Sequence, residues 1–220
     1  MRRDYHPWPM REAMPLLRWM FILMVIGGIG QWWELLWFCL AIFLFHAAFH
    51  RSPKRRAPPD PAILVAPADG RVTDVVIVEE PKFIKARAWR IGVFLSVLDV
   101  HTQPAPCDAT LKLIEYQPGR FLDARDPNAS PQNENQLLGF ETRDGLRFAV
   151  RQIAGRIARR IILWRLPEEE VQRGELLGMI RYGSRVEFYL PHGTVEILVK
   201  AGDRVHGGGT PVARRRSGHG

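Results

Sequence analysis

A glycine followed by a serine, between two apolar segments, is the feature of this sequence with the clearest chemical potential. Residues 178–180 predict a strand, Gly183 and Ser184 follow, and residues 185–191 alternate polar with apolar side chains as a second strand does. Glycine adopts backbone conformations closed to other residues, so the Gly183 carbonyl can be held close to the Ser184 hydroxyl. A serine in that geometry can attack the peptide bond on its own amino-terminal side. For the dipeptide alone, an ordinary Gly-Ser turn is the simpler interpretation.

Serine is a weak nucleophile and needs an oriented base, for which histidine is the usual side chain. Of the seven histidines, four lie in the terminal or N-terminal apolar segments, and His192 and His206 lie in turn-like segments. His101 is left, at the end of the apolar residues 93–100, where a strand passes into a loop. His101 is therefore the candidate base, although a histidine that only packs explains the same pattern.

Two aspartates are candidates to orient His101, as the acid of a Ser-His-Asp arrangement does. Asp69 lies in an Asp-Gly pair, which by itself is typical of a turn. Asp99 precedes His101 by two residues, and residues i and i+2 of a strand point to the same face. The residue pattern leaves the choice between the two acids open.

Four segments together resemble the short bacterial phosphatidylserine decarboxylases, in which a Gly-Ser bond cleaves itself. The most specific is residues 174–191, GELLGMIRYGSRVEFYLP. The others follow in the family's order: residues 66–70 (APADG), 98–101 (LDVH) and 152–160 (QIAGRIARR). The resemblance covers nearly the whole chain. The sequence departs from the family at residues 130–135, which lack an arginine, and at residues 50–53, which lack an acidic residue.

The resemblance implies a self-processing zymogen that converts phosphatidylserine to phosphatidylethanolamine. Cleavage between Gly183 and Ser184 leaves residues 1–183 and 184–220 as a heterodimer, with Ser184 turned into a covalent pyruvoyl group, the only implied cofactor. That group forms a Schiff base with the substrate amine and takes up electrons as CO2 leaves. The resemblance also implies that His101 is the base and proton donor and that Asp69 orients it. No metal is implied, and a higher oligomer stays open.

The N-terminal segment predicts membrane attachment. Residues 19–33 and 35–49 are two charge-free apolar pieces, each about 15 residues long where a perpendicular span needs about 20. They predict a helical hairpin that spans the membrane at a tilt or lies in one leaflet. Basic residues flank both sides, which places both ends and the following domain on the cytoplasmic face of the cell membrane. His46 and His50 lie four residues apart, but no third ligand is near, which argues against a metal.

Composition favours a lipid surface as the partner. The formal net charge of +8 and the pI near 10.1 indicate an anionic partner. The sequence shows no recognition helix, zinc-ligand spacing or aromatic RNA-binding signature, so we expect no nucleic acid. Phosphatidylserine in an anionic membrane fits the charge and the apolar segment together. Cys39 and Cys107 lie in segments of different character and predict reduced thiols.

The expected organisation is a membrane hairpin at residues 1–50, a basic proline-rich linker at 51–61, a β-rich catalytic domain at 62–213 and a basic tail at 214–220. The fold class is mostly β, a sandwich-like domain whose edges faintly resemble lipoyl and biotinyl domains. A long loop is expected at residues 119–136, and residues 153–163 leave strand and short helix open. The predicted strands are residues 62–65, 72–78, 89–95, 109–115, 146–152, 186–190 and 195–199.

Two other functions compete with the decarboxylase. A membrane-anchored adaptor with a lipoyl-like β domain and no catalysis explains the apolar segment, but it does not explain residues 174–191. The sequence also has no sustained heptad for the coiled coil of such adaptors. A pyruvoyl enzyme that acts on a soluble amino acid has no need of a membrane segment. The sequence therefore predicts the lipid decarboxylase, with the adaptor as the alternative.

Overall fold

The computed structural model describes residues 9–126, 130–156, 160–181 and 183–216. The chain divides into two compact units, one ending at Pro53 and one beginning at Lys54. The second unit therefore includes most of the segment that the sequence predicts as a linker.

The first unit is a pair of helices, α1 (Pro9–Ile29) and α2 (Trp33–Phe49), which confirms the predicted helical hairpin. The chain reverses at Gly30 and Gln31, and Gln31 has a left-handed φ of 55°. The two helices approach closely at Gly27, where an added Cβ would lie 3.3 Å from the main-chain nitrogen of Leu36. A small residue at this point lets the two main chains pack against each other.

The helix pair is compatible with membrane association. α1 has 21 residues and a mean hydropathy of 1.6, enough to cross a membrane by length and composition, whereas α2 has 17 residues. Large apolar side chains on both helices face outward. Large apolar side chains exposed in this number are unfavourable in water and indicate contact with lipid or protein. The exposed fraction lies between 58% and 64% for Trp19, Phe21, Trp33, Trp37 and Phe38.

The second unit is built from β-strands and short connections, with 14 strands in its described residues. They are β1 (Ile63–Val65), β2 (Gly70–Glu80), β3 (Ala86–Leu95), β4 (Thr102–Pro104), β5 (Ala109–Gln117), β6 (Asn135–Glu141), β7 (Arg147–Ala154), β8 (Ile161–Leu163), β9 (Glu170–Val171), β10 (Leu176–Ile180), β11 (Ser184–Pro191), β12 (Val195–Ile197), β13 (Arg204–Val205) and β14 (Pro211–Arg215).

The strands form one large sheet and two small ones. The large sheet has the order β13-β2-β3-β11-β7-β6-β5-β9, and the small sheets are β1-β14-β12 and β4-β10-β8. β11 is central, because it pairs antiparallel with β3 on one side and β7 on the other. β10, just before it in the chain, pairs with β4 and β8 instead. The chain therefore changes sheets between β10 and β11, at the Gly-Ser step.

The side chains of β11 alternate between the two faces of the large sheet, and those on both faces are buried. Val186, Phe188 and Leu190 point into the main hydrophobic core, as the period of two predicts. Arg185 and Glu187 point to the opposite face, yet both are fully buried. Polar residues on that face did not predict burial, because alternation alone is typical of a strand with one face in water.

The strand predictions hold and the connections differ. The seven strands predicted for the β-rich domain, and the strand predicted at residues 178–180, are all present with ends shifted by up to three residues, which confirms the mostly β domain. β6 begins at Asn135, inside the predicted loop. Of the segment left open, residues 153–154 finish β7 and residues 161–163 form β8, while residues 157–159 lie outside the described part.

The predicted basic tail begins too early. Arg214 and Arg215 complete β14, where Arg214 pairs with Ile63 of β1 and Arg215 pairs with Val195 of β12. The Arg215 guanidinium also donates to the carboxylate of Asp144. Backbone pairing on both sides and this ion pair fix the two arginines in the domain, which therefore extends beyond residue 213.

Candidate active site

The chain turns sharply at Gly183, between β10 and β11. Gly183 has a φ of 67°, in the left-handed region that glycine occupies without steric penalty. Ser184 is the first residue of β11, opposite Leu95 of β3 and Ala154 of β7, and it is completely buried. The bond between Gly183 and Ser184 is therefore held on its carboxyl side by the central strand of the large sheet.

The carbonyl group of Gly183 lies directly against Gly155, the residue after β7. A Cβ added to Gly155 would lie 2.3 Å from the Gly183 oxygen and 3.1 Å from the Cβ of Ala124. Both neighbours leave little freedom, since one is main chain and the other is a methyl group. A glycine at residue 155 is required for the carbonyl to take this position. The sequence gives no signal for this contact beyond a glycine after a predicted strand.

Asn133 ties the predicted long loop to the site. Its side-chain amide donates to the carbonyl oxygens of Leu122 and Ala154, at 3.0 and 2.9 Å, and its own oxygen accepts from the Leu122 N–H at 2.9 Å. Asn133 is fully buried. Because Ala154 is the residue opposite Ser184, this amide connects the loop to the strand that flanks the Gly-Ser bond.

His101 contacts the Gly-Ser step itself. Its Nε2 accepts a hydrogen bond from the main-chain N–H of Gly183 at 3.1 Å, and its Nδ1 lies 3.0 Å from the carbonyl oxygen of Asp99. A carbonyl oxygen can only accept, which assigns the proton of the neutral ring to Nδ1 and the lone pair to Nε2. The ring is completely buried. The imidazole is thus fixed in one tautomer, with the lone pair of Nε2 directed at the residue before Ser184.

A chain of buried glutamines holds the main chain of His101. The Gln103 amide donates to the His101 carbonyl oxygen at 2.7 Å, and the Gln152 amide donates to Gln103 at 2.9 Å. The same carbonyl oxygen accepts from the N–H of Ile180 in β10 at 3.2 Å. Both glutamines are fully buried, and buried polar groups of this kind restrict a segment to one conformation. Gln103 carried no sequence signal, and Gln152 stood out only as part of the family segment at residues 152–160, since a polar residue in a strand is usually at the surface.

The Ser184 hydroxyl is buried and has no hydrogen-bond partner among the described residues. Leaving a buried hydroxyl unpaired costs about 1–3 kcal/mol, so such groups are rare and call for an explanation. A nucleophile that waits beside its target bond is one explanation. The unpaired oxygen, the left-handed Gly183 and the imidazole of His101 thus lie at one peptide bond.

The two candidate acids belong to different hydrogen-bond networks. The carboxylate of Asp69 binds the Arg55 guanidinium with both oxygens, the N–H of Gly207 at 2.9 Å and the Nδ1 of His206 at 3.4 Å. Nδ1 of the His101 ring instead donates to the main-chain carbonyl oxygen of Asp99.

The carboxylate of Asp99 also points elsewhere. It accepts from the N–H and hydroxyl of Ser96, at 2.8 and 2.7 Å, and from Arg204 at 2.6 Å. These bonds close the turn that follows β3. The structure therefore brings Gly183, Ser184 and His101 together. The hydrogen bond that orients the His101 ring is made to a peptide carbonyl, and the Asp69 carboxylate binds Arg55. A main-chain partner could not be found from residue types.

The fold and the site define a mostly β protein, preceded by a helix pair, in which an internal Gly-Ser bond is set against a buried histidine. The chain belongs to the phosphatidylserine decarboxylase family, whose sequence model matches residues 42–213. This match confirms the resemblance seen in the sequence.

Curated relatives agree over nearly the full length. A phosphatidylserine decarboxylase proenzyme of Carboxydothermus hydrogenoformans is 42% identical over 205 residues, covering 93% of this chain and 95% of the relative. Proteins of the same name from Symbiobacterium thermophilum and Desulfotalea psychrophila are 39% and 35% identical, covering 93% and 91% of this chain and 94% and 93% of the relatives.

Proposed function

We propose that this chain is a phosphatidylserine decarboxylase proenzyme that cleaves itself between Gly183 and Ser184. The contact of His101 Nε2 with the N–H of Gly183, beside the buried Ser184 hydroxyl, is the observation that carries the proposal. Family membership supplies the substrate class, because the curated relatives are named for phosphatidylserine.

Self-cleavage begins when Nε2 of His101 releases the N–H of Gly183 and takes the proton of the Ser184 hydroxyl. The Ser184 oxygen bonds to the carbonyl carbon of Gly183, the C–N bond breaks, and the proton passes to the departing nitrogen. The product is an ester with a free amine at residue 184. Gly155 leaves room for the carbonyl group during this change, since it has no Cβ.

The ester is then removed by elimination. The Cα proton of residue 184 leaves, its Cβ–O bond breaks, and residues 1–183 depart as a carboxylate. Water adds to residue 184 and ammonia leaves, which produces a pyruvoyl group at the N terminus of residues 184–220. All atoms of the new group come from Ser184 and one water.

A pyruvoyl group supplies a carbonyl that captures the substrate amine and accepts the electrons left when CO2 departs. The residues of the chain do the rest. β3 and β7 hold residue 184 in register. The buried ring of His101, next to this residue, returns a proton to the substrate α-carbon.

The two products of cleavage remain one folded unit in this proposal. β11, β13 and β14 belong to residues 184–220, whereas their partners β3, β7, β2 and β1 belong to residues 1–183. Breaking one bond between β10 and β11 leaves all of these pairings in place. The two chains therefore form a heterodimer held by strand pairing.

The membrane part of the proposal places α1 and α2 in the cell membrane and the β-rich unit on its cytoplasmic face. The exposed apolar side chains of both helices support insertion. Basic residues at 51, 54, 55 and 56 support a cytoplasmic end, and the net charge of +8 supports an anionic membrane that contains phosphatidylserine.

Intact-mass measurement of purified protein and of Ser184→Ala tests the function. We expect two chains that meet at residues 183 and 184 under denaturing conditions and one complex under native conditions. The smaller chain should carry a pyruvoyl terminus and phosphatidylserine should lose CO2. Ser184→Ala should stay a single chain of 25.2 kDa without activity. An active wild-type preparation that consists of the single chain would contradict the proposal.

A further inference from the structure

The residue after the Gly-Ser bond is held by a buried charge network. Arg185 is completely buried, and each guanidinium nitrogen donates to a different side chain: Nε to Glu187 at 2.9 Å, Nη1 to the hydroxyl of Thr73, and Nη2 to Asp74. Arginine presents its donors in a rigid planar fork, so three separate acceptors fix its position and its rotation.

The neighbouring strand is shaped for this guanidinium. Gly92 of β3 lies opposite Glu187, and a Cβ added to Gly92 would lie 2.1 Å from Nη2 of Arg185 and 2.4 Å from a carboxylate oxygen of Asp74. A side chain at residue 92 would displace the guanidinium from its acceptors. The sheet therefore has a recess at this point that Arg185 fills.

The network is charge-compensated, so burial of Arg185 does not leave a bare charge. Arg90 also donates to Asp74, at 2.9 and 3.1 Å, and the Tyr189 hydroxyl donates to Glu187. Burial on its own raises the pKa of Asp74, but hydrogen bonds from Arg185 and Thr73 and the nearby arginines outweigh it and keep that pKa below its ordinary value. Asp74, which accepts from Nη2 of Arg185, is thus charged at neutral pH.

Cleavage changes what holds residue 184 in place. In the uncleaved chain it is tied to β10 through Gly183 and to β11 through Arg185. After cleavage the connection to β10 is gone. In a pyruvoyl group the amide N–H is also gone, so residue 184 has lost a donor that a strand residue normally gives to its neighbours. Arg185 is then the first residue of the small chain with both a complete peptide group and a fixed side chain.

We propose that Arg185 is a positioning residue that holds the pyruvoyl end of residues 184–220 in register for decarboxylation, and that it is dispensable for self-cleavage. This inference rests on the proposed function. It differs from a role in stability, because the precursor has a second attachment at residue 183 that the processed enzyme lacks. Loss of Arg185 contacts should therefore slow turnover of cleaved enzyme while cleavage proceeds.

Arg185→Lys, which keeps the charge but replaces three directed nitrogens by one, is the main test. Thr73→Val is the second, since it removes one acceptor and leaves shape and charge. Arg165→Lys is the matched control: Arg165 is also largely buried and binds Glu169 and the Leu176 carbonyl, at 2.7 and 2.8 Å, outside this network. Intact mass measures the cleaved fraction and the pyruvoyl content. Steady-state assays with phosphatidylserine in mixed micelles measure kcat per pyruvoyl and KM.

We expect Arg185→Lys to be cleaved with wild-type pyruvoyl content and to lose about 10- to 100-fold in kcat per pyruvoyl, because misplacing a reacting group by about an ångström has effects of this size. KM should change by less than about threefold, since the fully buried Arg185 side chain does not reach the surface where substrate arrives. Thr73→Val should lower kcat per pyruvoyl by a smaller factor, and Arg165→Lys should have the kcat per pyruvoyl of the wild type.

Wild-type kcat per pyruvoyl in both network variants would overturn the role of Arg185, and so would a loss that appears entirely as uncleaved precursor. If Arg185→Lys does not fold, Thr73→Val decides: lower kcat per pyruvoyl supports the inference and an unchanged value overturns it. Absence of pyruvoyl or product in wild-type protein would contradict the proposed function itself.

Discussion

His101 combines full burial with a proton position that two main-chain groups define. The Asp99 carbonyl accepts from Nδ1, and the Gly183 N–H donates to Nε2. An imidazole between a peptide acceptor and a peptide donor keeps its lone pair on the side of the Gly-Ser bond. The orientation of the ring therefore depends on the path of residues 99–101.

His101→Gln, Asp99→Asn and Asp69→Asn separate these contributions. We expect His101→Gln to accumulate precursor, because an amide has no basic lone pair to take the Ser184 proton. Asp99→Asn keeps the carbonyl that orients the ring, so its cleavage rate should stay within about tenfold of wild type. Asp69→Asn weakens the bond to Arg55 and should lower stability by about 1–3 kcal/mol, with little effect on cleavage of folded protein.

Cleavage kinetics by gel, with thermal unfolding on the same samples, checks all three variants. The role that the family resemblance implies for Asp69 makes the opposite prediction. If Asp69→Asn blocks cleavage at unchanged melting temperature, Asp69 acts on His101 after all, and the network with Arg55 is secondary.

Residue types and the family resemblance together singled out Gly183, Ser184 and His101. The structure places Nε2 of His101 3.1 Å from the main-chain nitrogen of Gly183, and Gly183 is in the left-handed region. The partners of Asp69 were not predictable, because Arg55 and Gly207 are 14 and 138 residues away from it. Contacts of such separation depend on the sheet arrangement, which local patterns do not specify.

At the scale of the elements, the site exists because two sheets meet at one peptide bond. β10 ends in the small sheet and β11 starts in the large one, so the connecting residues cannot continue either ladder. Gly155 follows the neighbouring strand β7 and fills the corner below the Gly183 carbonyl. A turn placed between two anchored strands stays in a conformation that a free turn would leave.

Gly155→Ala tests this corner. The methyl group would lie 2.3 Å from the Gly183 oxygen, so the carbonyl must move, and we expect cleavage to slow by about 10-fold or more. Gly209→Ala is the matched control, since its Cβ would have ordinary contacts of 3.5 Å or longer. Precursor decay followed by intact mass checks the pair. Equal decay in Gly155→Ala and Gly209→Ala would show that the corner does not position the carbonyl.

Strand prediction succeeded where side chains were β-branched and failed for the strands of two residues and for strands rich in polar residues. β2, β3, β7 and β11 were all predicted, because Val and Ile favour a pleated, half-buried surface. β9 and β13 have only two residues each, too few for any period. β6 begins with two polar residues and contains a glycine, which favour a loop until β5 and β7 pair with it.

The molecule as a whole divides at Pro53, and the β-rich unit has a core of its own. Its hydrophobic cluster is made only of residues from 64 onward, and every sheet is complete within it. Arg55 also belongs to this unit through Asp69 and the carbonyl oxygen of Gly207, at 2.9 Å from the latter. The boundary for a separate domain is therefore residue 54, earlier than the predicted residue 62.

A truncated protein that begins at Lys54 should fold, cleave itself and stay soluble without detergent, because no core residue is removed. Turnover of a short-chain soluble phosphatidylserine should stay within about threefold of the full chain. Turnover of phosphatidylserine in vesicles should fall by about 10-fold or more, since two apolar helices no longer raise the concentration of the enzyme at the vesicle surface.

A second truncation that begins at residue 57 removes Arg55. It should melt a few degrees lower than the protein that begins at Lys54, because loss of about 1 kcal/mol has this effect on a domain of this size. Vesicle flotation, melting curves and both activities distinguish the outcomes. If the protein that begins at Lys54 is cleaved but aggregates, the helix pair is part of the fold and not only an attachment; if it works on vesicles as well as the full chain does, the helices are not what brings the enzyme to its lipid.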